Sequence, residues 1–338
     1  MKKKIINSIK YMAFLAVGLL LLYLAFRGVD LEEMSTSLKE ADYFYVVISI
    51  LMGFAAFISR GVRWVILINS LGYKSSKVNC VSAVSLGYLA NLAIPRIGEI
   101  TRCTSLNQVE DIPVNKLFGT ILLERAIDMI ILLGLVSSAF ILQFDKISLF
   151  FEEALGAEGG ESSNVKFYIL GVGVLGLLGL FLLRNLFKKL PLYGKVLGFL
   201  IGLKEGFQSI STMERKWSFW LHTVFIWVMY FSMTFVCIYA LPETSHLTMA
   251  DGIILMVAGG LGMVVPAQGG IGSYHYAIVL GMVTLGIPKE SGVGLAYATM
   301  VHAAQTLMIL VTGGLAVLLL YLARRKKARN EAIANTGI

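Results

Sequence analysis

The sequence predicts an all-α polytopic membrane protein arranged as an inverted repeat, with three crossings and one re-entrant or broken-helix hairpin in each half. Three observations lead there. The apolar residues come in blocks of membrane-spanning length. The loops between blocks alternate in charge. Each half carries one Pro/Gly break at a corresponding place. Of 338 residues, 57% are hydrophobic and 15% charged, where a soluble domain carries about 25% charge; the mean hydropathy is +0.77.

The apolar blocks lie near 9–26, 43–68, 79–94, 117–143, 166–183, 217–240, 247–265, 273–287 and 292–322. A helical crossing needs about 20 residues. Six blocks meet that need; 79–94, 247–265 and 273–287 border Pro/Gly breaks. The N-terminus, Met1 and three lysines, leads into the first block without a small-residue cleavage site, so an uncleaved first span is expected. The net charge of +8 comes from basic residues placed between apolar blocks, which points to topology and not to nucleic acid.

Loops 27–42 and 144–166 are acidic and read as external. The N-terminus, Arg60 to Lys77, Arg184 to Lys216 and the tail from Arg324 are basic and read as cytoplasmic. This assignment forces block 79–94 to enter and return on the cytoplasmic side and 247–287 to enter and return from outside, as a re-entrant hairpin or as two full crossings. The breaks correspond: Pro95 to Gly98 in one half, Pro266 to Gly269 in the other. From span start to proline is 52 residues in the first (43 to 95) and 49 in the second (217 to 266). Inverted repeats with discontinuous helices near the midplane build the substrate sites of many transporters. One transmembrane domain over 1–322 follows, with repeats at about 9–143 and 166–322 and a basic cytoplasmic tail at 323–338. Segment 194–215, with Val196, Leu197, Leu200, Ile201, Leu203, Phe207 and Ile210 on one face, reads as an interfacial amphipathic helix linking the repeats.

The candidate functional residues are the polar ones inside these blocks. Glu124, Arg125 and Asp128 stand in 117–143, where each charge costs about 2.5–3.5 kcal/mol to insert. Arg125 and Asp128, at i,i+3, are expected to pair, leaving Glu124 for a binding role. At the first break, Asn91, Pro95, Arg96, Gly98, Glu99 and Arg102 end one helix and start another, with Arg96, Glu99 and Arg102 expected on one face; two guanidiniums at a broken helix suit a phosphate. At the second, Gln268, Gly269, Gly270, Gly272 and His275 open a helix whose backbone N–H groups suit an anion. His302 and Gln305 share a face of the last crossing. Arg60, Arg63 and Trp64 read as a cytoplasmic interface anchor. Cys80, Cys103 and Cys237 have no paired or metal-ligand spacing. There is no Walker A sequence, nucleophile elbow or metal-ligand cluster, so no enzymatic activity, metal or cofactor is expected.

Three motifs carry a family resemblance: Asn91 to Glu99 (NLAIPRIGE) followed by Arg102, Leu123 to Asp128 (LERAID), and Val265 to Gly272 (VPAQGGIG). Together with Arg60 to Trp64 and the pair Leu71–Gly72 they resemble the flippase-like family named for the lysylphosphatidylglycerol synthase transmembrane region, over about 10–320. The family includes the membrane half of the multiple peptide resistance factor. That resemblance implies a lipid-translocation module of the bacterial inner membrane, without the soluble aminoacyl-transferase domain; the family's final span often carries an arginine where this chain has Ala298 to His302. The expected function is translocation of a phospholipid or polyprenyl-phosphate lipid, with both termini cytoplasmic. Arg96 and Arg102 receive the phosphate, Glu124, Arg125 and Asp128 line a head-group cavity, and the turn at Gly270 closes it from outside. Two other functions fit the same residues: an enzyme modifying a lipid head group with Glu124 and Asp128 as acid and base, and a non-transporting subunit of a lipid or glycan synthase. A homo-oligomer or a synthase partner fits any of the three.

Overall fold

The structure, a computed structural model, describes residues 2–144, 146, 210 and 213–336. Block 166–183 and nearly all of the amphipathic segment 194–215 lie outside the described residues. Ten α-helices run through the rest: α1 Lys2–Phe26, α2 Leu31–Glu40, α3 Tyr43–Ser70, α4 Lys77–Ala93, α5 Gly98–Glu110, α6 Val114–Leu142, α7 Lys216–Val236, α8 Met249–Val264, α9 Ser273–Thr284 and α10 Val293–Thr336. Among the described residues, three stretches are long and apolar enough to cross a membrane, Tyr43–Ser70, Lys216–Ala240 and Val293–Ala334. The bent pair α1–α2 makes a fourth if counted as one span. Helix α6 has 29 residues, about 43 Å at 1.5 Å per residue, with Glu124, Arg125 and Asp128 near its middle.

The acidic segment after α1, expected as a loop, is the helix α2. Asp30 caps it by accepting hydrogen bonds from the backbone N–H groups of Glu32 and Glu33, and two glutamates in the first turn complement the helix dipole. It turns 88° from α1 and buries Met34 and Ser37. The basic tail is a continuation of α10 as far as Thr336.

Both breaks follow from their prolines. A residue preceding proline is driven out of the helical region. Ile94, before Pro95, is extended (φ −136°, ψ 119°) and ends α4. Val265, before Pro266, is likewise extended (φ −62°, ψ 131°) and ends α8. In the first hairpin the chain turns through Arg96 at φ 64°, and the Gly98 N–H donates to Asn91 Oδ1 at 2.7 Å. Helices α4 and α5 then touch backbone to backbone, because a Cβ on Gly98 would land on the carbonyl oxygen of Gly87. In the second, Gly269, Gly270 and Gly272 all have positive φ. Gly272 lies against the backbone of α1 at Gly18, where no side chain fits.

Helices α3 and α7 pack along each other. The pairings α3–α4, α4–α5, α5–α6 and α4–α10 have counterparts in α7–α8, α8–α9, α9–α10 and α8–α6. Polar groups join the crossings where small residues let backbones approach: Ser49 Oγ donates to the Met233 carbonyl at 2.8 Å and Tyr297 OH to the Thr234 carbonyl at 2.5 Å. Ile210, from the amphipathic segment, is buried with Ile66, Leu67, Ile127 and Phe219.

Candidate functional site: an ion network under the first hairpin

Arg60 and Arg63 sit one turn apart on α3, buried at 3% and 0% exposure. Arg60 lies ten residues before the end of the helix at Ser70, about 15 Å along it, and both guanidiniums are committed to Asp128 of α6, so neither is free to reach a head group. The interface-anchor reading is therefore corrected: both arginines belong to the charged interior. Arg60 Nη2 donates to Asp128 Oδ2 at 2.9 Å and its Nη1 to Tyr230 OH on α7 at 3.0 Å. Arg63 grips Asp128 with both terminal nitrogens, Nη1 to Oδ1 at 3.0 Å and Nη2 to Oδ2 at 3.2 Å. Its Nε reaches Glu124 Oε1 at 3.4 Å, and Nη1 also reaches Thr223 Oγ1 at 3.3 Å. This fork-to-carboxylate geometry is one that lysine cannot reproduce.

The pairing expected inside α6 is corrected as well. Asp128 is held by the two arginines of α3, not by Arg125. Arg125 turns outward to α5, where its Nη2 donates to Glu99 Oε1 at 2.9 Å. Glu124, 0% exposed, is not left over: Arg102 Nη1 of α5 stands 2.8 Å from its Oε2. That contact is an ion pair by distance but not an aligned hydrogen bond, since Glu124 Oε2 and Arg102 Nε and Nη2 are all without a hydrogen-bond partner among the described residues. The guanidinium of Arg102 lies 3.7 Å over the ring of Trp64, close enough for a strong cation–π contact. Trp64 is fixed by its Nε1–H, which donates to Thr120 Oγ1 at 2.7 Å.

Four arginines (60, 63, 102, 125) thus share three carboxylates (Glu99, Glu124, Asp128), leaving one positive charge in excess. The network opens on a small pocket of about 20 Å³, lined by Arg60, Tyr88, Asn91, Glu99, Arg102 and Arg125 among others, which widens only if the Arg125–Glu99 bridge parts. Its floor is buried and its rim is the Arg125–Glu99 bridge, whose side chains are 46% and 27% exposed.

Arg96 does not share a face with Glu99 and Arg102. Its positive φ puts it ahead of α5. It is exposed, with Nη2 3.5 Å from the Val264 carbonyl at the end of α8. The second hairpin holds a separate group. His302 of α10 bonds through Nε2 to the Gly269 carbonyl at 2.9 Å; a carbonyl only accepts, so Nε2 carries the proton. The His275 ring stands 4.9 Å from that of His302, and Tyr274 stacks on His302 at 5.4 Å. Gln268 and Gln305 are half-buried nearby. No side-chain hydrogen bond or ion pair among the described residues joins this group to the arginine network. The two breaks nevertheless touch, through Arg96 and Val264 and through Leu92, against which Gly269 lies.

The site residues not foreseen as such are Arg60, Arg63, Trp64, Tyr88, Thr120, Thr223 and Tyr230. A signal existed for the arginines: two charges at i,i+3 well before the end of a 28-residue helix match the two acids on one face of α6.

Fold and site together define a polytopic α-helical membrane protein with an ionic network buried between its helices. The family model described as the lysylphosphatidylglycerol synthase TM region matches residues 11–313, and the chain belongs to that family. It is 24% identical over 330 residues to the glycosyltransferase AglD of Haloferax volcanii, covering 88% of this chain and 52% of AglD. It is 26% identical over 136 residues to the UPF0104 membrane protein MJ1595 of Methanocaldococcus jannaschii, covering 39% of this chain and 40% of that protein. The chain thus spans about half the length of AglD and less of MJ1595. No solved structure matches it.

Proposed function

We propose that the protein translocates a phospholipid or polyprenyl-phosphate lipid across the bacterial inner membrane, recognising its phosphate at the first hairpin. The observation that carries this reading is the excess positive charge of a buried network that opens on a pocket at a broken helix. A lone charge in hydrocarbon is expensive, and a phosphate is the anion most membrane lipids provide. The second break, in contact with the first, supplies a glycine turn able to rearrange as the head group passes. Basic residues at the α10 end and near the N-terminus favour cytoplasmic termini. Transport is driven by the lipid gradient or an ion gradient, and the protein is not an enzyme. Glu124 and Asp128 are each held by two arginines, which suits fixed counter-ions better than an acid–base pair.

The test is accessibility of a fluorescent-headgroup lipid in proteoliposomes, for several lipid classes. Wild-type protein is expected to make inner-leaflet lipid accessible far faster than empty vesicles; equal rates for every class refute transport. A second reading draws on AglD, named a glycosyltransferase and aligned with nearly all of this chain: the chain serves a synthase acting on a lipid-linked substrate. Lipid mass analysis separates the two, because a transporter returns its lipid unmodified.

A further inference from the structure

We infer that the pocket between α4 and α5 takes one singly charged phosphodiester, bound by Arg102 and Arg125, and that Glu99 is the resident anion it displaces. This rests on the phosphate-recognition reading above and states which atoms, which charge state and which competitor are involved. Arg102 is 5% exposed and lines the pocket. Its Nε and Nη2 are without a hydrogen-bond partner among the described residues. These adjacent N–H groups form one edge of the guanidinium fork, the edge that meets two oxygens of a tetrahedral anion. A buried donor left unmade is costly, and here two belong to one cation.

The charge balance selects the guest. With four arginines against three carboxylates, one negative charge neutralises the network. A phosphodiester carries one at neutral and basic pH. A phosphomonoester, whose second proton leaves near pH 6, carries close to two and overshoots. Glu99 is the carboxylate free to yield. Glu124 and Asp128 are each gripped by two buried arginines, whereas among the described residues Glu99 pairs with Arg125 alone, through a partly exposed bridge at the rim. An incoming phosphate takes Arg125 from Glu99, and α5 is released from α6 at that point.

The experiment uses full-length protein in nanodiscs at pH 8, with Trp217, Trp220 and Trp227 replaced by phenylalanine so that fluorescence comes from Trp64, the ring under Arg102. The probes are dioctanoyl phosphatidylglycerol, dioctanoyl phosphatidic acid, and glycerophosphoglycerol as the diester without acyl chains. Wild type is expected to bind phosphatidylglycerol about tenfold more tightly than phosphatidic acid. Glu99→Gln raises the network's excess to two and reverses the order; Arg125→Gln weakens phosphatidylglycerol about tenfold. Both side chains are half-exposed, so the variants test the site even where Arg102→Gln fails to fold. Saturable binding of glycerophosphoglycerol makes the source aqueous as well as lipid; binding of the lipid alone confines it to the membrane; either supports a diester site. Tighter binding of phosphatidic acid by wild type, or an unchanged order in Glu99→Gln, overturns the inference. Transport is judged separately. Vesicles that move lipid while Glu99→Gln keeps the wild-type order sink the site assignment alone, and a reversed order with no lipid movement sinks transport alone.

Discussion

The two hairpins share a backbone plan and differ in everything that fills it. Each begins with an extended residue before a proline and returns through a tight turn. The first turn is held by a side chain, Asn91 on the Gly98 N–H, and stands over four arginines and three carboxylates. The second is held by backbone freedom, with three glycines at positive φ, and stands over two imidazole rings, His275 and His302. Hairpin geometry is repeated while the arginine network is confined to one copy. The repeat therefore supplies the frame, and the asymmetry in side chains decides which break can recognise an anion.

The largest expected effect tests that confinement. Arg63→Gln removes the cation shared by Glu124 and Asp128 and, although Arg102 and Arg60 still pair with them, takes away three buried charge-assisted hydrogen bonds, a loss of about 3–5 kcal/mol in all. Thermal unfolding in detergent, followed by monodisperse recovery, is expected to show a large drop for this variant. Next is the second turn. Gly272→Ala meets both an unfavourable φ of 83° and the α1 backbone at Gly18, about 2–4 kcal/mol in all. Gly98→Ala meets only the carbonyl of Gly87 and the Asn91 side chain, about 1–3 kcal/mol. If Gly98→Ala proves the costlier of the two, the contrast between a side-chain-held turn and a glycine-held turn is wrong. Smaller still is His302→Gln, which trades one interhelical hydrogen bond for a poorer one. About 0.6–1.7 kcal/mol is expected, and a loss as large as that of Arg63→Gln would mean that the second hairpin hides an ionic partner of its own.

The hairpins were legible in the sequence because proline acts locally: Pro95 and Pro266 set their neighbours' backbones whatever surrounds them. The charge pairing was not, because spacing rules see one helix at a time. Arg125 and Asp128 are well placed for each other at i,i+3, yet Asp128 finds a bidentate partner on α3 and Arg125 finds Glu99 on α5. Cross-helix partners follow from packing, and only the matching of two arginines on α3 with two acids on α6 hinted at it. Arg60 and Arg63 were read as an anchor because a basic pair near a span's end usually is one. Burial and the pairing with Asp128 on α6 decided otherwise. The helix α2 was hidden by its acidity, although Asp30 followed by two glutamates is an N-terminal signal. Membership of the family, by contrast, rested on short motifs that survive without knowledge of the fold.

The smallest effect on stability is expected to be the most informative about function. Besides the buried Glu124–Arg102 pair, helix α6 and the residues after it reach each hairpin through a bridge with a half-exposed cation: Arg125 to Glu99 at the start of α5, and Lys146 to Asp251 near the start of α8. The basic side chains are similarly exposed, 46% and 42%, but Glu99 is 27% exposed and Asp251 only 6%, so the Arg125 bridge contributes no more than about 1 kcal/mol, while loss of Lys146 leaves a buried Asp251 to its Thr248 hydrogen bonds. Arg125→Gln should therefore unfold at nearly the wild-type temperature, and Lys146→Gln slightly below it. In the proteoliposome assay they should part. Arg125 faces the pocket and offers a donor to the phosphate, so its loss lowers the transport rate about tenfold. Lys146 serves a helix whose capping box between Thr248 and Asp251 persists without it, so Lys146→Gln keeps the wild-type rate. Equal losses of transport in the two variants would show that both hairpins carry the anion, and that the difference between them is one of side-chain decoration and not of role.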